Sequence, residues 1–288
     1  MRSKLSICVA FCALACVLPG GALAKHASKK KTTPTYYLAL GDSLSRGAQP
    51  NAQGTTLPTN QGYANFLYAT EKQKIKGLKL EELGCLGETT TTMLSGGICS
   101  YSAGSQLKAA VKFIAKHKVA FITLDIGAND IDGCVSAAGA IDITCISKGT
   151  NSIKANVPVI AQKLRKAAGS KVKIAAMTYY DPFLAVYLNG TAYGPGTATI
   201  SVSLAQSVNA TLASDFMAQR FKVADVATAF DTYIPFTTTV PTGAGPEPAA
   251  VADICALTWM CAAKPVGPNI HATVAGYKEI AKVFAAVL

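Results

Sequence analysis

Acidic residues are scarce in this chain. Asp and Glu number 16 against 27 Lys and Arg, which leaves a formal charge of +11. Histidine is scarcer, with His26, His117 and His271 only. Any chemistry that needs an imidazole base therefore has three candidates. No CxxC pair and no Cys–His cluster occurs, which removes the usual zinc frameworks. No basic stripe is interleaved with aromatics, which argues against nucleic acid as a partner. Beyond the N-terminal region no apolar run reaches the roughly 20 residues of a membrane-spanning helix. No internal repeat is visible, and no linker divides the chain.

What is present begins with a leader pattern. Met1-Arg2-Ser3-Lys4 is basic, Leu5 to Leu18 is apolar, and Pro19-Gly20-Gly21-Ala22-Leu23-Ala24 ends in a small-x-small step. That order predicts a secretory signal over residues 1–24, hence an extracellular protein. The apolar run is too short for an anchor. Cys16 raises lipid attachment, but Ala13-Leu14-Ala15 fits that pattern poorly, so a cell-surface lipoprotein ranks lower. Losing Arg2 and Lys4 with the leader reduces the charge to +9. Residues 25–35, rich in lysine, read as a basic flexible tail, a solvated spacer capable of weak contact with an anionic cell surface. Cys8, Cys12 and Cys16 leave with the signal. Six cysteines remain, and an even count in an exported chain suggests disulfides. Pairing of neighbours (Cys85–Cys99, Cys134–Cys145, Cys255–Cys261) is preferred, because each pair brackets an irregular Gly- or Ala-rich stretch.

Residues 36–288 read as alternating strands and helices. Strand candidates are Tyr36–Leu40, Leu78–Leu83, Val119–Ile126, Val172–Thr178 and Lys222–Val226. Their short apolar runs suit strands buried on both faces. Helix candidates are Tyr63–Ile75, Gln106–His117, Ser152–Ala168, Ser201–Gln219 and Thr273–Val287. Pro158 should kink the third of these or mark its start. The alternation predicts an α/β fold with a mainly parallel sheet. Residues 232–268, rich in Pro and Gly, read as a long insertion of the kind that often binds ligand.

In open parallel sheets ligands bind beyond the carboxyl ends of the strands. Four polar clusters fall there: Gly41-Asp42-Ser43-Leu44, Gly84 to Thr90, Gly127-Ala128-Asn129-Asp130, and Pro268-Asn269-Ile270-His271. Block by block and in order, they resemble the SGNH/GDSL hydrolase family, in the style of its exported bacterial lipases and esterases. The resemblance covers about residues 36–288 and implies a three-layer α/β/α fold with a flavodoxin-like five-stranded sheet. It implies Ser43 as nucleophile, which needs a base to take its proton, and His271 as that base. It implies an oxyanion hole of the Ser43 and Gly87 backbone N–H groups and the Asn129 amide, Gly87 being expected to allow close backbone approach. Gly84 offers a competing register for the glycine. Asp42 and Asp130 read as structural, through turn hydrogen bonds.

One departure from the family pattern stands out. Relatives commonly carry an aspartate three residues before the histidine, and here that residue is Pro268. No Asp or Glu lies between Asp253 and His271. The imidazole could be oriented by a backbone carbonyl, with Pro268 preferred, by the Asn269 side chain, or by a distant carboxylate such as Asp181 or Asp253. Tyr179-Tyr180-Asp181-Pro182-Phe183 and Ile254, Leu257, Trp259 and Met260 could line an apolar pocket. Carboxylic ester hydrolysis of an acyl or lipid ester is therefore the expectation, with no metal or organic cofactor and a monomeric state. Carbohydrate O-deacetylation, a non-catalytic surface-binding protein on this scaffold, and a phosphate-binding flavodoxin-like module are the rival readings.

Overall fold

The structure, a computed structural model, describes Ala10 and residues 34–136, 139–189, 194–243 and 245–288. The leader and most of the basic tail lie outside the described residues. In chain order the elements are β1 (Thr35–Gly41), the short pair β2 (Gln49–Pro50) and β3 (Thr56–Leu57), α1 (Tyr63–Lys74), β4 (Leu78–Glu82), α2 (Thr90–Ser95), α3 (Gln106–Lys116) and β5 (Lys118–Asp125). Then come α4 (Ile143–Ala168), β6 (Lys173–Met177), α5 (Gly194–Ala218), β7 (Lys222–Ala224), α6 (Val226–Ala229), the hairpin β8 (Thr239–Thr242) and β9 (Gly245–Pro248), α7 (Ala249–Leu257), β10 (Thr258–Trp259), β11 (Asn269–Ala272) and α8 (Val274–Val287).

The central sheet runs β4-β1-β5-β6-β7, and every neighbouring pair is parallel. Counting only its own strands, the order is 2-1-3-4-5, that of flavodoxin-like folds, with the reversal between β1 and β5. Parallel strands need crossovers, and helices supply them, so both sheet faces are covered. This is why Leu38, Leu40, Ile122 and Leu124 are fully buried. Each such side chain contributes on the order of 1.5–3 kcal/mol. On one helical layer Tyr63 of α1 stacks on Phe284 of α8 at 4.8 Å. Ile153, Val157 and Leu164 of α4 join Leu212 and Phe216 of α5 in the same buried core. Among the described residues no helix is long and apolar enough to cross a membrane.

The structure corrects three expectations. α4 begins at Ile143, nine residues earlier than Ser152, capped by Asp142, whose Oδ1 accepts the Cys145 N–H at 3.0 Å. Pro158 neither starts nor ends this helix. α5 begins at Gly194, not Ser201. Residues 232–268 are not one irregular loop: they hold the β8–β9 hairpin, α7 and β10, and β10 pairs with β11.

Candidate active site

Ser43 stands two residues past the end of β1, in a turn held by a buried acid. Asp125, the last residue of β5, accepts the Asp42 and Ser45 N–H groups on Oδ2 at 3.1 and 3.2 Å. Tyr63 donates its hydroxyl to the other oxygen. Asp42 accepts the Leu44 N–H at 2.9 Å and the Tyr179 hydroxyl at 2.7 Å. Burial first, and then the neighbouring Asp42 charge, raises the Asp125 carboxyl well above its ordinary value. Gln106 braces the same turn from α3. Its Oε1 accepts the Gly41 N–H at 2.7 Å, and its Nε2 donates to the Gly41 carbonyl at 2.9 Å and to Glu88 at 2.8 Å.

Three further strand ends meet this turn. His271 reaches it from β11, two residues before the Thr273 cap of α8. Its Nε2 lies 2.9 Å from the Ser43 hydroxyl. Its Nδ1 lies 2.7 Å from the Asn269 side-chain oxygen. That same oxygen accepts the His271 main-chain N–H at 3.0 Å, while the Asn269 amide donates to the Thr56 hydroxyl at 2.8 Å. A main-chain N–H can only donate, so the Asn269 atom facing Nδ1 is an acceptor, and Nδ1 carries the proton. The Nε2 lone pair is thereby left for Ser43. The group placed against Nδ1 is thus the Asn269 side-chain oxygen, and the Pro268 carbonyl preferred from the sequence is not at hydrogen-bond distance from the ring. In a two-residue step back to Asn269 the side-chain oxygen takes main chain and ring together. Asp181 is occupied elsewhere, its Oδ1 accepting the Phe183 N–H at 2.9 Å. Burial holds the His271 pKa down, to about 4, so the imidazole is neutral at neutral pH.

The loops after β4 and β5 are tied to each other. Thr90 gives its N–H and hydroxyl to Asp130 at 2.8 and 2.7 Å. Asn129 donates its amide to the Glu88 carbonyl at 3.1 Å. Glu88 follows Gly87, so these bonds fix Asn129 beside the glycine turn. Gly87 has φ +79, and a Cβ there would meet only the tip of Ile98 at 4.0 Å. Its positive φ favours glycine, and the space beside it holds no other protein atom within 4 Å. The close approach is at Gly84, where a Cβ would fall 1.8 Å from the Ser45 hydroxyl.

Ser43, Asn129 and His271 share the wall of one cavity, about 810 Å³ counted to its open mouth. Its sides are apolar, with Ile131, Val135, Ile146, Phe183, Leu204 and Val208. Tyr179 and Tyr180 also line it, and Tyr180 donates to the Ile270 carbonyl at 2.8 Å, steadying the histidine segment. Ile254, from the insertion, is core. Leu257, Trp259 and Met260 are not part of the cavity wall. The three disulfides join Cys85 to Cys99, Cys134 to Cys145 and Cys255 to Cys261. They flank the glycine turn, the segment after Asn129 and the strand that pairs with β11. Among the described residues no group of three or more His, Cys, Asp or Glu could hold a metal ion. Asp125, Gln106 and Thr56 were missed from the sequence. Asp125 had a signal, an acid closing an otherwise apolar strand.

Comparison with curated proteins gave no match. Among solved structures the fold is similar to an extracellular lipase from Streptomyces rimosus, at 17% identity and a TM-score of 0.57 over 88% of this chain and 100% of that one. It is similar to a phospholipase A1 from Streptomyces albidoflavus, at 18% identity and a TM-score of 0.56 over 88% and 99%. An acetylxylan esterase from Geobacillus stearothermophilus gives 16% identity and a TM-score of 0.51 over 88% and 94%. At these identities the likeness extends to the fold. The sequence itself matches the GDSL-like lipase/acylhydrolase family over residues 37–284. That span runs from β1 to the end of α8 and takes in every strand end that meets at Ser43, and on it the chain belongs to the GDSL-like lipase/acylhydrolase family.

Proposed function

We propose that the protein is an exported serine carboxylic ester hydrolase, with residues 1–24 as its leader, acting on acyl esters. The observation that carries this reading is the continuous chain Ser43–His271–Asn269, with contacts of 2.9 and 2.7 Å. His271 Nε2 takes the Ser43 hydroxyl proton as Oγ attacks the ester carbonyl carbon. The carbonyl oxygen becomes an oxyanion. The Ser43 and Gly87 N–H groups donate to no protein acceptor among the described residues and supply two donors, and the Asn129 amide supplies the third. His271 then protonates the departing alkoxide. Water repeats the sequence on the acyl-serine and releases the acid. Asn269 holds the ring in the required tautomer but, being neutral, stabilises the imidazolium less than a carboxylate would.

The apolar wall from Ile131 to Val208 supports an acyl chain as the group bound there. Turnover of p-nitrophenyl acetate, butyrate and palmitate, measured beside Ser43→Ala and His271→Ala, tests the assignment. Activity should collapse in both variants, and the wild type should favour chains longer than acetate. Wild-type turnover in Ser43→Ala would refute the nucleophile, and strict preference for acetate would favour O-deacetylation.

A further inference from the structure

Charge is segregated along the strand direction. Asp42, Asp125, Asp130, Asp132 and Asp181 lie at or after the carboxyl ends of β1, β5 and β6, around the site. The opposite edge, where the parallel strands begin, is basic. Lys79, Lys118, Lys173 and Lys222 are the first or second residues of β4, β5, β6 and β7. Lys76 and Lys171 stand in the turns leading into β4 and β6, and all six are exposed. The acids near this edge are Glu71, paired with Lys74 at 2.7 Å, and Asp215 in the last turn of α5. Of the six lysines only Lys173 has a hydrogen-bond partner among the described residues, the Leu288 carbonyl.

Cations in the last turn of a helix offset its dipole, and α1, α3, α4, α5 and α8 all end here. Each C-terminus supplies about half a negative charge, so about two and a half in all. Most of the positive charge is therefore left without a structural task. We propose that this strand-entry edge docks the protein on an anionic phospholipid surface, with the Ser43–His271 site facing away from it. The cations stand on four strands across the width of the five-stranded sheet, about 20 Å at roughly 4.8 Å per strand, instead of being gathered in a pocket. They are mostly lysines, point charges on flexible stems that suit mobile headgroups better than a fixed bidentate partner. Met217, 59% exposed, stands one turn before Arg220 on the same edge and offers an apolar contact among the charges. The eight residues of β5 separate this edge from the site, about 26 Å at roughly 3.3 Å per residue.

The test is cosedimentation of the full chain with phosphatidylcholine vesicles, with and without phosphatidylglycerol. Only the increment added by phosphatidylglycerol is read. Lys118→Gln/Lys171→Gln/Lys222→Gln should lower that increment on the order of 100-fold, at about 1 kcal/mol per lysine. Lys108→Gln/Lys148→Gln/Lys154→Gln, which removes equal charge from the site-facing halves of α3 and α4, should leave it nearly unchanged. Trp259 is the only tryptophan and stands on β10 beside the histidine strand. Its fluorescence should not be quenched by spin-labelled lipid in the bound state. Equal losses in both triple variants, no phosphatidylglycerol-dependent binding, or binding to soluble polyphosphate without binding to vesicles would each overturn the proposal. Quenching of Trp259 would overturn the orientation.

Discussion

Asn269 occupies the place where a carboxylate would serve, and two substitutions there give opposite outcomes. Its oxygen bonds both the His271 main chain and Nδ1, and its amide is anchored on Thr56. During attack the ring becomes imidazolium, and a hydrogen bond to a charged group is worth about 1.5–3 kcal/mol. Asn269→Ala should therefore lower kcat by about 10- to 150-fold, with KM little changed, because Asn269 is not in the cavity wall. Asn269→Asp places a negative charge against Nδ1. An opposite charge at that range raises an imidazole pKa by roughly 1–3 units. The wild-type histidine sits at about 4 through burial. Because the base acts as the neutral ring, activity in the wild type should persist into mild acid and fail only as pH drops towards that value. In Asn269→Asp the acid limb should move up towards neutrality. The assay is kcat/KM for a soluble p-nitrophenyl ester from acid to neutral pH. An Asn269→Ala enzyme with wild-type kcat, or an Asn269→Asp enzyme with an unmoved acid limb, would refute the reasoning.

Asn129→Ala removes one oxyanion donor and should cost about 100- to 1,000-fold in kcat with thermal stability nearly kept, read by steady-state kinetics beside a melting curve. Gly84→Ala drives a methyl into the Ser45 hydroxyl and should reduce both stability and turnover, whereas Gly87→Ala, strained only in φ, should cost about 1–2 kcal/mol. Burial raises the Asp181 carboxyl to about 6. The folded state thus holds its proton more tightly than the unfolded chain, and the stabilisation present below about pH 4 is lost as pH rises through 6. Asp181→Asn keeps the acceptor for the Phe183 N–H and removes that loss. Its stability should match wild type at pH 4 and exceed it by about 2–3 kcal/mol at pH 8, as measured by urea unfolding.

The strands were legible because burial on both faces writes them as short apolar runs, most plainly Tyr36 to Leu40. The site was legible because polar clusters at four strand ends must converge once the sheet is parallel. What the sequence hid depended on tertiary partners. Asp125 is conspicuous as an acid in an apolar strand, but its partner is not local: β5 lies beside β1, and Asp125 bonds the turn after that strand. The choice between Pro268 and Asn269 turned on a side-chain direction that no local pattern encodes. The start of α4 was masked by Gly149, a poor helix former, which sits there because a Cβ would fall 2.0 Å from the Asp130 carbonyl. The order in residues 232–268 comes from β10 pairing with β11, a contact invisible to composition.

The three disulfides all lie past the carboxyl ends of the sheet, and none joins one of its strands to another. The scaffold and the working rim thus rest on different bonds. Apolar burial and the strand ladder assemble the sheet without a covalent cross-link, while covalent closure trims the freedom of the loops that carry Gly87, the segment after Asn129, and the support of His271. Mild reduction should therefore silence the enzyme well before its far-ultraviolet circular dichroism changes. A chain still in a reducing compartment would be a folded but idle body, with its competence set by the arrival of an oxidant.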